Sequence, residues 1–337
     1  MNHIGSFNNR LELQRSIMEE GNLFKMICGA GNEDIDEVYK LSFLYTLAGA
    51  NSIDMSATVE VVESAVKGVN DAEKIIEQEN FLDNYIRPYL TVSIGMPGDH
   101  HVRKAKIISE NCTECDACIP VCPTDAIPNI LEIIEARCIG CGACGVACQD
   151  DAIGYSHKEI EIESVLKKCI ELGVENIELH ASVIDDDPVI NEWEIVNKIN
   201  PDGFNSVCID RGYLSNHALK KRLEKMVEIC PDRMIVQADG IPMGGGDDDY
   251  RTTLQAVACA DIVDKFSLPV HILLSGGTNS KSIQLSKDCS VPYAGVSIGT
   301  YARHLVYEYI NNPLFPNDEL LDRAIKKAKE LVNTCYE

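Results

Sequence analysis

Two hydrophobic rhythms alternate along most of this chain. Short runs of strand length and strand composition fall at Phe24–Cys28, Ser52–Ser56, Leu90–Ile94, Asn176–Ala181, Ser206–Asp210, Met234–Ala238, Val270–Ser275 and Ala294–Ile298. Between them the spacing predicts helices near Ile35–Ala48, Val59–Gln78, Lys158–Leu172, Val189–Asn197, Asn216–Ile229, Tyr250–Asp264, Lys281–Lys287 and Arg303–Ile310, with a last one at Asp318–Val332. Eight strands, each followed by a helix, is the count of a (β/α)8 barrel of the TIM type. An open doubly wound sheet is the alternative.

The rhythm breaks after the third strand, where cysteines take over. Of fifteen cysteines, eight fall between Cys112 and Cys148. They form two runs spaced C-x2-C-x2-C-x3-C: Cys112, Cys115, Cys118 and Cys122, followed by Pro123, then Cys138, Cys141, Cys144 and Cys148. This is the pattern of a bacterial two-cluster ferredoxin, in which the fourth cysteine of each run ligates the other cluster. Cys112, Cys115, Cys118 and Cys148 are thus assigned to one [4Fe–4S] cluster, and Cys138, Cys141, Cys144 and Cys122 to the second. Zinc ribbons use four cysteines in two pairs, not eight in this order. Ala126-Ile127 and Ala152-Ile153 repeat after each run, which points to an internal duplication at an interval of 26 residues. The predicted domain plan is a barrel first part at 1–98, a ferredoxin-like insert at 99–157 on the barrel's catalytic face, and a barrel second part at 158–337. His100 and His101 stand at the joint, as a solvated hinge or as neighbours of a cluster.

Side chains two apart on a strand share a face. Glu178 with His180, Gln237 with Asp239, Asp54 with Ser56 and Cys208 with Asp210 are polar pairs at positions that branched apolar residues usually fill in a barrel. Lys25 shares a face with Ile27. These pairs describe either a lined pocket or a buried network in which they satisfy one another. If a pocket, Lys25, His180, Gln237 and Asp239 are the candidates for catalytic roles. The loops after the seventh and eighth strands, Gly276-Gly277-Thr278-Asn279 and Gly299-Thr300-Tyr301-Ala302-Arg303, lie where barrels bind phosphate through exposed amides and a helix N-terminus. FMN or another phosphate-bearing ligand fits that expectation; tight turns alone would use the same glycines. After the sixth strand, Gly244-Gly245-Gly246 permits a mobile lid. Asp247-Asp248-Asp249 and Asp185-Asp186-Asp187-Pro188 read as acidic helix starts that complement the dipole.

Charge changes the picture of partners. With 53 acidic and 30 basic residues the formal charge is −23, which excludes nucleic acid and anionic membrane surfaces as natural partners. No apolar run reaches the length needed to span a bilayer, and Met1–Arg15 lacks the apolar stretch of a signal peptide. A reducing, cytoplasmic setting is expected for so many thiols.

Phe24-Lys25-Met26-Ile27-Cys28-Gly29-Ala30, Tyr45-Thr46-Leu47-Ala48-Gly49-Ala50 and His101-Val102-Arg103-Lys104-Ala105, together with Asp239-Gly240-Ile241-Pro242-Met243 and the two glycine loops, resemble the light-dependent period protein family in the same order. The resemblance covers most of the chain. It implies an iron–sulfur protein with a redox role, the cyanobacterial members being associated with redox sensing for the circadian clock. Two functions follow as expectations. One is a ferredoxin-linked oxidoreductase passing electrons to a small-molecule ligand in the barrel mouth. The other is a redox-sensing or electron-carrying subunit that binds a redox protein partner without turnover.

Overall fold

The computed structural model describes residues 3–79, 85–97, 99, 103–157, 161–209, 211–240 and 247–337. The strands are β1 (Leu23–Ile27), β2 (Ser52–Ser56), β3 (Tyr89–Gly95), β4 (Arg103–Ile107), β5 (Ile153–His157), β6 (Asn176–His180), β7 (Asn205–Ile209), β8 (Met234–Asp239), β9 (His271–Ser275) and β10 (Gly295–Ile298). Eight of them close into a parallel barrel in the order β1-β10-β9-β8-β7-β6-β3-β2. The ring is sealed where Leu23 pairs with Gly295 and Met26 with Ile298. No bound of these eight strands differs by more than one residue from the predicted one. The open sheet is thereby excluded.

Alternation explains the two faces. Ile177 and Leu179 on β6, Val236 and Ala238 on β8, and Val296 and Ile298 on β10 point outward and pack beneath the surrounding helices as one apolar core. Their neighbours in sequence point into the ring, where the layers change character from bottom to top. At the bottom, Leu23, Tyr89, Ile235 and Leu273 are apolar. The next layers are polar, which is unusual for a barrel interior.

The bottom is closed by a helix that the polar N-terminal sequence does not predict, His3–Glu19. Ile17 and Met18 complete the apolar bottom layer. Arg10 anchors the helix, donating to both carboxylate oxygens of Glu175 at 2.6 and 2.8 Å and lying 4.3 Å over the Tyr89 ring. Tertiary anchoring, not local periodicity, makes this element.

The acidic runs are caps. Asp185 accepts from the amide of Asp187 to open the helix Asp186–Ile199, and Asp249 accepts from Arg251 to open Tyr250–Asp264. Asp248 is engaged by Ser280 and Lys281. His100, His101, Asp210 and the glycine run at 244–246 lie outside the described residues.

Between β3 and the helix Ile162–Glu171, β4 and β5 form an antiparallel hairpin that frames both cysteine runs. The duplication is visible in the backbone. Left-handed residues recur at Glu114 and Gly140, Asp116 and Gly142, and Asp125 and Asp151, each pair 26 positions apart. The hairpin docks on the C-terminal face of the barrel. Lys104, which is buried, donates to the carbonyls of Gly31, Glu135 and Cys138, joining the loop after β1 to the second cysteine run. Arg137 pairs with Asp34 at 2.9 Å, and Tyr307 donates to Asp125.

Candidate functional site

The cysteines come together in the crossed arrangement. One cavity is lined by Cys112, Cys115, Cys118 and Cys148, and a second by Cys122, Cys138, Cys141 and Cys144. Each set combines three cysteines of one run with the last of the other. Amides aim at the sulfurs: Ala126 donates to Cys122 at 3.2 Å, Ala152 to Cys148 at 3.3 Å, and Ala105 to Cys138 at 3.3 Å. Ala126 and Ala152 hold equivalent places in the two repeats, so the donation was duplicated along with the ligands. Burial, reinforced by crowding of the neighbouring sulfurs, raises the thiols of Cys118, Cys141 and Cys144, the last to about 11. A cationic iron core reverses that cost by taking the thiolates as ligands. The residues fit two [4Fe–4S] clusters.

The two cavities differ in exposure. Cys115 is exposed, whereas Cys138 and Cys144 are buried. Around the first cavity Ile130 and Leu131 reach solvent, and Val121 is exposed nearby. The second faces the barrel. Ile139 and Cys141 form part of the wall of a cavity of about 100 Å3 in the barrel mouth.

His180, Asp239, Gly276, Gly277, Thr278, Gly299, Thr300 and Arg303 all line that mouth. Glu178, Cys208, Ser275 and Ser297 join them from the strand ends. Lys25 and Gln237 sit beneath the lining. Lys25 forms an ion pair with Glu178 across the ring, with exposures of only 3% and 1%. Gln237 donates to Cys208 at 2.9 Å and accepts from Ser297 at 2.8 Å. Asn279 is set apart from the cavity; its amide donates to the carbonyls of Asp247 and Asp249, tying this loop to the one after β8. Arg303 lines the mouth, yet its guanidinium is held by Glu37 at 2.9 Å and by the carbonyl of Cys28 at 2.6 Å. Its first role is to join the helix Thr300–Ile310 to the end of β1.

Electrostatics inside the ring are strongly coupled. Burial opposes the Lys25 ammonium, but the charges of Glu178 and Asp54 outweigh it and raise its pKa. Burial likewise opposes ionised Glu178, and Lys25 and His180 overcome it, holding the carboxylate well below its usual range. Asp54, buried beside charged Glu178, is pushed up to about 7. Burial and the nearby Asp239 and Glu178 raise the Cys208 thiol.

Reasoning from the strands reached Glu178, His180, Asp239, Cys208 and Asp54. Ser275 was reached only as the lead into the glycine loop after β9, and Ser297 was missed, although the alternation rule applied to β10 places it on the inner face. Ile139 and Cys141 had no local signal as pocket residues, because their place at the mouth depends on how the insert docks.

A closed barrel with a ferredoxin-like pair of cysteine loops at its mouth defines an iron–sulfur protein. Residues 105–127 and 131–154 match the 4Fe-4S binding domain, and residues 169–334 match the Light dependent period A C-terminal domain. The chain is 29% identical over 331 residues to Light dependent period A of Synechococcus elongatus, spanning 94% of this chain and 91% of that one. Along nearly its whole length the chain is thus similar to Light dependent period A, and it carries the 4Fe-4S binding pattern. Among solved structures, the YdjI aldolase from Escherichia coli K12 covers 95% of this chain and 92% of its own at 9% identity, with a TM-score of 0.49. Thiamine phosphate pyrophosphorylase from Pyrococcus furiosus covers 95% and 98% at 8% identity, with a TM-score of 0.43. The barrel itself rests on its closed ring of strand pairings. No helix among the described residues is long and apolar enough to cross a membrane.

Proposed function

We propose that this chain carries electrons between a redox protein partner and a small anionic ligand in the barrel mouth, with its two clusters as the path. The supporting observation is that Cys141, a ligand of the second cluster, is itself part of the pocket wall. When bound, [4Fe–4S] clusters supply one-electron transfer. The chain's own residues supply direction. The first cysteine set opens to solvent beside Ile130 and Leu131, where a partner can approach, while the second is buried against the ligand cavity. The charge of −23 favours a basic partner, steered at low ionic strength.

Inside the mouth, Gly276, Gly277 and Thr278 and the start of the helix at Thr300 offer backbone amides for a phosphate or carboxylate. Gly276 and Gly277 adopt φ of 61° and 72°, a region glycine enters without steric cost. His180 and Asp239 line the same wall, where Asp239 is placed to hold or move a proton on the ligand and His180 to orient it. Were FMN the ligand, the glycine loops would hold its phosphate and it would supply two-electron chemistry; a smaller phosphorylated substrate is the other form of this reading. The exposed apolar rim of the first cysteine set also favours an electron-carrier or redox-sensing subunit, in which partner binding is the output.

Anaerobically purified protein, after acid extraction, is expected to release a flavin or phosphorylated compound. FMN added back should alter the electron paramagnetic resonance signal of one reduced cluster. Release of no such compound, with both signals unchanged by FMN and by inorganic phosphate, rejects the ligand reading. A salt-sensitive complex with a basic redox protein, formed by that same protein, would then support the subunit reading.

A further inference from the structure

Three side chains at the top of the barrel carry a different set of donors. Glu178 and His180 share one face of β6, which ends at His180, and Cys208 stands beside them on β7, paired in register with His180. The Glu178 Oε1, His180 Nε2 and Cys208 Sγ atoms lie mutually close: 3.2 Å from oxygen to nitrogen, 3.0 Å from sulfur to oxygen and 3.9 Å from sulfur to nitrogen. Ligands about 2.0 to 2.3 Å from a tetrahedral Zn2+ stand roughly 3.4 to 3.6 Å from one another. The triangle is therefore already close to the face of a zinc tetrahedron. All three residues are buried, and all three line the mouth cavity.

The surroundings hold these donors as outer partners hold metal ligands. The second carboxylate oxygen of Glu178 accepts from Lys25 and from Ser206 at 3.0 Å, leaving Oε1 directed at the triangle. The amide nitrogen of Gln237 donates to the Cys208 sulfur. That amide is turned the right way because its oxygen accepts from Ser297. Donation to sulfur favours a thiolate, and the Lys25 charge helps balance a carboxylate and a thiolate in one place.

We propose that Glu178, His180 and Cys208 form a mononuclear zinc site, separate from the eight cluster cysteines. Its fourth position opens into the mouth, where water or an anionic oxygen of a ligand completes the tetrahedron. On binding, the Cys208 proton leaves to solvent and the sulfur becomes a ligand. Mixed sulfur, nitrogen and oxygen donors with one open position match the pattern of a Lewis-acid zinc centre. The inference stands on donor geometry alone and holds whether or not electrons reach the mouth.

The test uses the full chain with both clusters in place. Anaerobic protein is given one equivalent of Zn2+, desalted, and analysed for iron and zinc. About eight irons and one zinc per chain are expected. Zinc-edge X-ray absorption should show one sulfur at about 2.3 Å with nitrogen and oxygen near 2.0 Å. A His180→Ala/Cys208→Ala variant should keep its iron and lose at least four-fifths of the zinc. Full iron with no retained zinc overturns the proposal. So does zinc surrounded by three or four sulfurs, which would place it among the cluster cysteines, or zinc undiminished in the variant. The absorption spectrum of the unmodified protein decides the matter even if the variant does not fold.

Discussion

Lys25 shows how a single residue can be both cost and constraint. Its ion pair with Glu178 is fully enclosed by the barrel, so each charge depends on the other for solvation. Lys25→Met is expected to lower unfolding free energy by about 3–5 kcal/mol, since it strands a buried carboxylate. Lys25→Met/Glu178→Gln should recover part of that loss in urea titrations of the cluster-loaded protein. Equal stability of the single and double variants would refute the pairing. The inward direction of Lys25 was legible, because it shares a strand face with Ile27. Its partner was not, because Glu178 lies 153 positions further along the chain.

Among elements, the duplicated cysteine loops are the most legible and the helix His3–Glu19 the least. The loops carry their own grammar of ligands, left-handed residues and amide donors, repeated every 26 residues. That helix has few apolar positions and gains its place from the Arg10–Glu175 pair and the bottom layer. Crossed ligation predicts how variants will group. Cys148→Ser should give the same residual cluster spectrum as Cys115→Ser, and Cys122→Ser the same as Cys141→Ser. Spectra that instead group by cysteine run would show that each run holds its own cluster. Strand bounds were readable to within one residue because strongly apolar runs end where polar inner positions and glycine turns begin.

For the whole molecule, the decisive feature is the seating of the insert. Lys104 donates to three carbonyls: Gly31 of the barrel, Glu135 in the turn before the second cysteine run, and Cys138, which opens that run. Removing it leaves those acceptors without their charged donor, each such bond being worth about 1.5–3 kcal/mol. Lys104→Met should leave the barrel's inner strands protected while amide hydrogen exchange quickens at 29–34 and 135–141. It should also decouple the second cluster's signal from whatever fills the mouth. Unchanged exchange in both segments would mean that Arg137, Tyr307 and the hairpin suffice to hold the insert.

The amino-acid order by itself determined what depends on short range: eight strand-and-helix units, two cysteine runs of ferredoxin spacing, acidic caps, glycine loops and the inward side of each strand. These follow from periodicity, ligand spacing and turn chemistry within a few residues. Tertiary structure decided which inner residues meet. It paired Lys25 with Glu178, turned Arg303 and Asn279 to internal partners, gathered Glu178, His180 and Cys208 into one triangle, and brought Cys141 to the barrel mouth. Those contacts join segments tens to hundreds of residues apart. Only closure of the ring and docking of the insert sets such distances.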